Sequence, residues 1–150
     1  IKALKLKPEH KLSLNNLIFA QNKILENPKV KNKIEMLFQE GEKLKQKKDW
    51  TGALEIYTEI KKNLPSNSKA LLYLGNIYFN LKKFDKAINE YKTLLIFYPN
   101  NIAVLNNLGL SYEQINAENK ALEVFKKVLE ISPQNRIASE NLKKLSSLKQ

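Results

Sequence analysis

The chain has 150 residues, 43% hydrophobic and 27% charged, with four glycines, five prolines and no cysteine. This is a globular composition, long enough for one domain with a buried core. Disulfide and thiol chemistry are excluded, though a cysteine-free chain suits any redox compartment. The net charge is +11, but Arg136 is the only arginine, whereas phosphate-binding surfaces favour its planar fork. The lysines accompany many asparagines and isoleucines, a mixture that reads as the codon bias of an AT-rich genome.

The charge is uneven. Residues 1–33 carry eight lysines against Glu9 and Glu26, so an electrostatic role points first to this segment. Residues 1–7 read as a frayed lead-in. Pro8 to Glu26 reads as one helix, opened by proline and closed before Asn27 and Pro28. Its apolar residues are Leu14, Leu17, Ile18, Ile24 and Leu25. It either caps the domain downstream of it or forms a separate interaction helix, for instance on an anionic membrane. No apolar run is long enough to cross a bilayer, and no secretory signal is visible. Because the chain starts at Ile1 rather than Met, it reads as a fragment or processed form. Its location is open between cytoplasm and cell envelope.

From residue 34 onwards the sequence repeats. Pro65, Pro99 and Pro133 are 34 residues apart, as are Gly41, Gly75 and Gly109, and Ala53, Ala87 and Ala121. Three residue types sharing one period define copies at 34–67, 68–101 and 102–135. Each copy shows two apolar stripes at helical spacing. In the second these are Leu71, Leu74, Gly75 and Tyr78, then Ala87, Tyr91 and Leu94. Each copy is therefore expected to be a hairpin of two helices of about 14 residues, the proline closing the second. A glycine inside a helix costs roughly 1 kcal/mol, so Gly41, Gly75 and Gly109 are expected to admit a closely packed neighbouring helix. Residues 136–150, "RIASENLKKLSSL" onwards, continue the register as a single capping helix.

The segments "LLYLGNIY…AINEY…P" and "LNNLGLSY…ALEVF…P" resemble the tetratricopeptide repeat family, with leucine where that pattern begins with tryptophan. The first copy, "LFQEGEKL…ALEIY…P", departs at Glu40 and Leu44. The resemblance implies an all-α solenoid of three helix hairpins, with an N-terminal helix and a C-terminal capping helix. It also implies that the first helix of each hairpin lines a concave groove. On that reading the groove residues are Lys69, Leu72, Tyr73, Asn76, Phe79, Asn80, Asn106, Asn107, Leu110, Asn141 and Lys144. Ala103, Glu113, Gln114 and, from the first copy, Glu35, Phe38, Gln39, Glu42, Lys45 and Gln46 complete the surface. Its amides offer donors and acceptors to a peptide backbone, and its apolar groups suit a partly apolar peptide or helix.

The expected function is thus a non-enzymatic protein-interaction module, a scaffold or assembly factor with a protein partner and no cofactor. Some tetratricopeptide domains hold a chaperone's C-terminal carboxylate in a clamp of amides and cations. The amide positions here are Asn76 and Asn107, but Leu72, Ile137 and Asn141 stand where the cations would be, so no such binding is expected. RNA binding is the alternative. Against it, Lys45, Lys69 and Lys144 are offset in the groove by Glu35, Glu42, Glu113 and Glu140, which leaves no basic stripe. His10 is the only histidine, and no cluster with metal-ligand spacing appears, so neither catalysis nor a metal site is expected.

Overall fold

A computed structural model describes residues 8–147, with side chains from residue 13 onwards; residues 1–7 and the His10 side chain fall outside. The described residues form eight helices and no strand: α1 Pro8–Leu25, α2 Pro28–Gln46, α3 Trp50–Asn63, α4 Ser68–Asn80, α5 Phe84–Phe97, α6 Ile102–Gln114, α7 Glu118–Ile131 and α8 Arg136–Ser147. No described helix is long and apolar enough to cross a membrane. The pairs α2–α3, α4–α5 and α6–α7 are the three hairpins, each packed on the next, and α8 closes the far end against α7.

The helix ends explain the period at atomic level. Asn67, Asn101 and Asn135 are N-caps, whose side chains accept from the backbone N–H of Ala70, Val104 and Ala138 at 2.9, 3.1 and 2.9 Å. Each cap is worth about 1 kcal/mol, so these asparagines have a structural role beyond codon bias. The turn inside each hairpin passes through a left-handed residue, Lys48, Lys82 and Asn116, at φ 58°, 57° and 56°. The next N–H closes each helix end: Asp49 to Leu44 O, Lys83 to Tyr78 O and Ala117 to Tyr112 O, at 2.9, 2.8 and 2.9 Å. No glycine marks these turns, so composition does not reveal them.

The periodic glycines seat aromatic rings. A Cβ on Gly41 would lie 2.8 Å from the Tyr57 ring, one on Gly75 2.3 Å from Tyr91, and one on Gly109 2.6 Å from Phe125. Those rings are buried, as are Ala53, Ala87 and Ala121 beside them. The close approach expected from the sequence is therefore ring on glycine. Gly52 lies inside α3, where its N–H is capped by Asp49 at 3.0 Å.

The N-terminal helix expected at Pro8–Glu26 runs Pro8–Leu25, and α2 starts at Pro28, six residues ahead of the start that the 34-residue period assigns to the first copy. Pro28 occupies the first turn of α2, where a missing N–H is harmless, and Asn27 caps it by accepting from Lys29 N at 3.0 Å. Along α1, Leu14, Ile18, Gln21 and Leu25 turn inward, while Leu17, Phe19 and Ile24 are exposed. Gln21 Oε1 accepts from the Ser66 N–H at 3.1 Å and the Ser66 hydroxyl at 2.7 Å. These bonds tie α1 to the α3–α4 loop, beside a hollow of about 340 Å³ bordered by Leu25, Ile34, Phe38 and Leu64.

Candidate functional site

The expected groove residues lie along three successive junctions, α2–α4, α4–α6 and α6–α8, and each junction has its own chemistry.

At α2–α4, two lysines meet aromatic faces. Lys45 Nζ lies 3.2 Å from the Tyr73 ring centroid, and Lys69 Nζ lies 4.9 Å from that of Phe38. Glu42 binds both lysines, at 3.1 and 3.5 Å. Burial raises the Glu42 carboxyl, but hydrogen bonds from Lys45 and Tyr73 and the two lysine charges outweigh it and hold the pKa below the usual range. Tyr73 also meets Tyr57 edge to face, with centroids 5.1 Å apart. Burial pushes the Tyr73 hydroxyl up, and its hydrogen bond to Glu42 adds to the rise.

At α4–α6 there is a cavity of about 280 Å³ lined by Asn76, Phe79, Asn80, Tyr91, Asn107 and Leu110. Its floor is a fixed triad. The Tyr91 hydroxyl donates to Asn76 Oδ1 at 2.7 Å, and Asn107 Nδ2 donates to the same oxygen at 3.0 Å. Burial drives the Tyr91 pKa upward, opposed in part by a hydrogen bond with Asn107. With Asn76 Oδ1 doubly occupied, the Asn76 Nδ2 group and Asn107 Oδ1 lack a partner among the described residues. The cavity lining thus offers one unused donor, on Asn76, and one unused acceptor, on Asn107. Asn80 Nδ2 donates to the Asn76 carbonyl at 2.8 Å, and Phe79 packs edge to face on Phe84 at 5.2 Å.

At α6–α8, Lys144 Nζ meets Glu113 Oε1 at 3.0 Å. The Glu113 side chain is 8% exposed and that of Lys144 65%. Glu113 Oε2 is buried without a hydrogen-bond partner.

The structure therefore gathers Asn76, Phe79, Asn80, Asn107 and Leu110 around one cavity. Lys69 and Tyr73 stand at the junction before it, and Lys144 at the junction after it. Leu72 is half-buried against the core of the second and third repeats. Asn141 bonds the Ile137 carbonyl of its own helix at 2.9 Å. Asn106 is a correction to the expected surface. It is 4% exposed, and its Nδ2 donates to Asn135 Oδ1 at 3.3 Å, so it lies in the packing beneath the cap of α8. Adjacent residues on a helix lie 100° apart, so Asn107 cannot share its direction. Tyr91 reads from the sequence only as core. Its spacing, sixteen residues after Gly75 as Tyr57 is after Gly41, is the signal that could have placed it under the groove. Among the described residues no group of three or more His, Cys, Asp or Glu could hold a metal ion.

Comparison with known proteins agrees with this geometry. A "TPR repeat" model matches residues 75–116 and a "Tetratricopeptide repeat" model matches residues 102–135. No curated protein matches the chain significantly in sequence. Among solved structures, the fold is similar to MamA, at 21% identity and TM-score 0.74, covering 93% of this chain and 82% of that one. It is similar to the first TPR domain of Spaghetti (RPAP3) bound to the HSP90 peptide SRMEEVD, at 23% identity and TM-score 0.72, covering 78% and 93%. It is also similar to the Arabidopsis OM64 TPR domain, at 22% identity and TM-score 0.71, covering 77% and 96%. The 34-residue period, the ring-on-glycine hairpins and these matches together support a tetratricopeptide repeat solenoid, with residues 75–135 matched directly to the repeat models.

Proposed function

We propose that the chain is a non-enzymatic interaction module that holds an extended segment of a partner protein in the groove formed by α2, α4, α6 and α8. The observation that carries this reading is the Asn76–Asn107 pair. Its free donor and acceptor match the C=O and N–H of a peptide unit, and the apolar wall of Phe79 and Leu110 beside it suits one partner side chain. Tyr91 fixes the pair beforehand, which lowers the ordering cost of binding. A scaffold or assembly role is the natural use of a module that holds a partner without chemistry.

Similar domains are solved with chaperone tail peptides. This chain differs at the clamp, because Leu72, Ile137 and Asn141 provide no cation for a terminal carboxylate. The reading therefore favours an internal segment. Randomised peptides displayed with both ends blocked should yield binders to the full chain. Their affinity should fall at least tenfold in Asn76→Ala/Asn107→Ala, checked for retained helicity. Undiminished binding in that variant rejects the groove as the site. Calorimetry with SRMEEVD should show no binding at micromolar concentrations, and tight binding would overturn the internal-segment reading.

A further inference from the structure

We infer that Glu113 is the receptor for a basic side chain, arginine above all, on the segment the groove holds; this rests on the groove reading of the proposed function. Glu113 lies one helical turn beyond Leu110 on α6, next along the groove from the cavity. Its carboxylate is mostly buried, yet only Oε1 is paired, to Lys144, while Oε2 has neither partner nor solvent.

The other ion pairs show how unusual this is here. Glu90, 12% exposed, receives Lys61 Nζ on both oxygens at 2.8 Å, a saturated structural pair between α3 and α5. Lys33–Glu59 and Arg136–Glu140 join groups that are exposed at both ends and stay hydrated. In the Glu113 pair alone among these, a buried acceptor is left half used while its partner is mainly in water. A latch holding α8 to α6 has no need of a desolvated carboxylate oxygen. A charged site waiting for a better donor has that form. A guanidinium fork satisfies both oxygens at once, where one ammonium meets one. Lys144, mainly in water, swings into solvent as the incoming guanidinium takes its place, so the buried carboxylate is never left without a cation.

The probe is a groove-dependent peptide from the blocked-end display, defined by its loss of binding to Asn76→Ala/Asn107→Ala. Such peptides should share an arginine or lysine at one fixed position. Replacing that residue with neutral, isosteric citrulline should weaken binding to the wild-type chain about tenfold, the size of one charge-assisted pair. Glu113→Gln should abolish the difference between arginine and citrulline. Lys144→Ala should tighten the arginine peptide severalfold and leave the citrulline peptide unchanged. Equal binding of arginine and citrulline peptides to the wild type overturns the inference, as does a difference that survives Glu113→Gln or a weakening in Lys144→Ala. In those cases dependence on Asn76 and Asn107 leaves the groove reading standing. If no displayed peptide depends on those asparagines, both fail together.

Discussion

Tyr57 and Tyr91 occupy the same place in successive hairpins, yet their hydroxyls meet different fates. Each ring lies on the glycine sixteen residues before it, and the residue after that glycine differs from hairpin to hairpin. For Tyr91 that residue is Asn76, which accepts the hydroxyl at 2.7 Å. For Tyr57 it is Glu42, already engaged by two lysines, and the Tyr57 hydroxyl is buried without a hydrogen-bond partner. In the third hairpin the pair is Phe125 and Leu110, with no polar group to satisfy. One scaffold thus carries three pairings, and the polarity of the ring's far end follows the groove residue above it. Only the middle pairing fixes an amide at the groove surface, so core and groove are coupled there most directly.

The comparison can be broken at several points. Gly75→Leu removes the ring's seat and should cost about 3 kcal/mol or more, since overpacking a full core typically costs about 1–3 kcal/mol. Its melting temperature should fall by many degrees, and an unchanged value would refute the seat. Phe125→Tyr places a hydroxyl against Leu110 and should cost about 2 kcal/mol by urea unfolding. Adding Leu110→Asn should recover part of that, because it recreates the Asn76–Tyr91 pairing; strict additivity would deny the coupling. Tyr91→Phe should cost about 1 kcal/mol, the worth of one hydrogen bond, and should weaken groove binding by loosening Asn76. Tyr57→Phe should be neutral or slightly stabilising, because it removes an unpaired buried hydroxyl.

The mildest test appears only in base. Burial pushes both hydroxyls above the ordinary tyrosine value of 10.0, with Glu42 and Tyr73 adding to the rise at Tyr57. A raised folded pKa means the folded chain keeps protons that the unfolded chain releases. Stability from this source is complete below pH 10 and declines as pH rises beyond it. A flat melting temperature up to pH 10 and then a fall is expected. Tyr57→Phe/Tyr91→Phe should fall less steeply.

Much of this is legible in one dimension. The hairpins, the prolines after each second helix and the close approach at each glycine come from a 34-residue period laid on 3.6 residues per turn. The start of α2 at Pro28 is not legible, because Asn27 and Pro28 read as a stop, when the pair equally caps and begins a helix. The left-handed Lys48 and Lys82 are hidden because lysine carries no signal for that conformation. In the groove, Asn76 and Asn107 are readable as surface amides, but the hydroxyl beneath them is not.

By itself, the sequence determined the architecture, because periodic apolar spacing leaves each hairpin only one face to bury against the next. Tertiary structure alone decided which of the adjacent Asn106 and Asn107 faces the groove, that Asn76 is held by Tyr91, and that Glu113 keeps one oxygen unmatched. Spacing along a helix specifies a direction only to within about one residue, or 100°. The packing of each helix on its neighbours chooses among directions that close together.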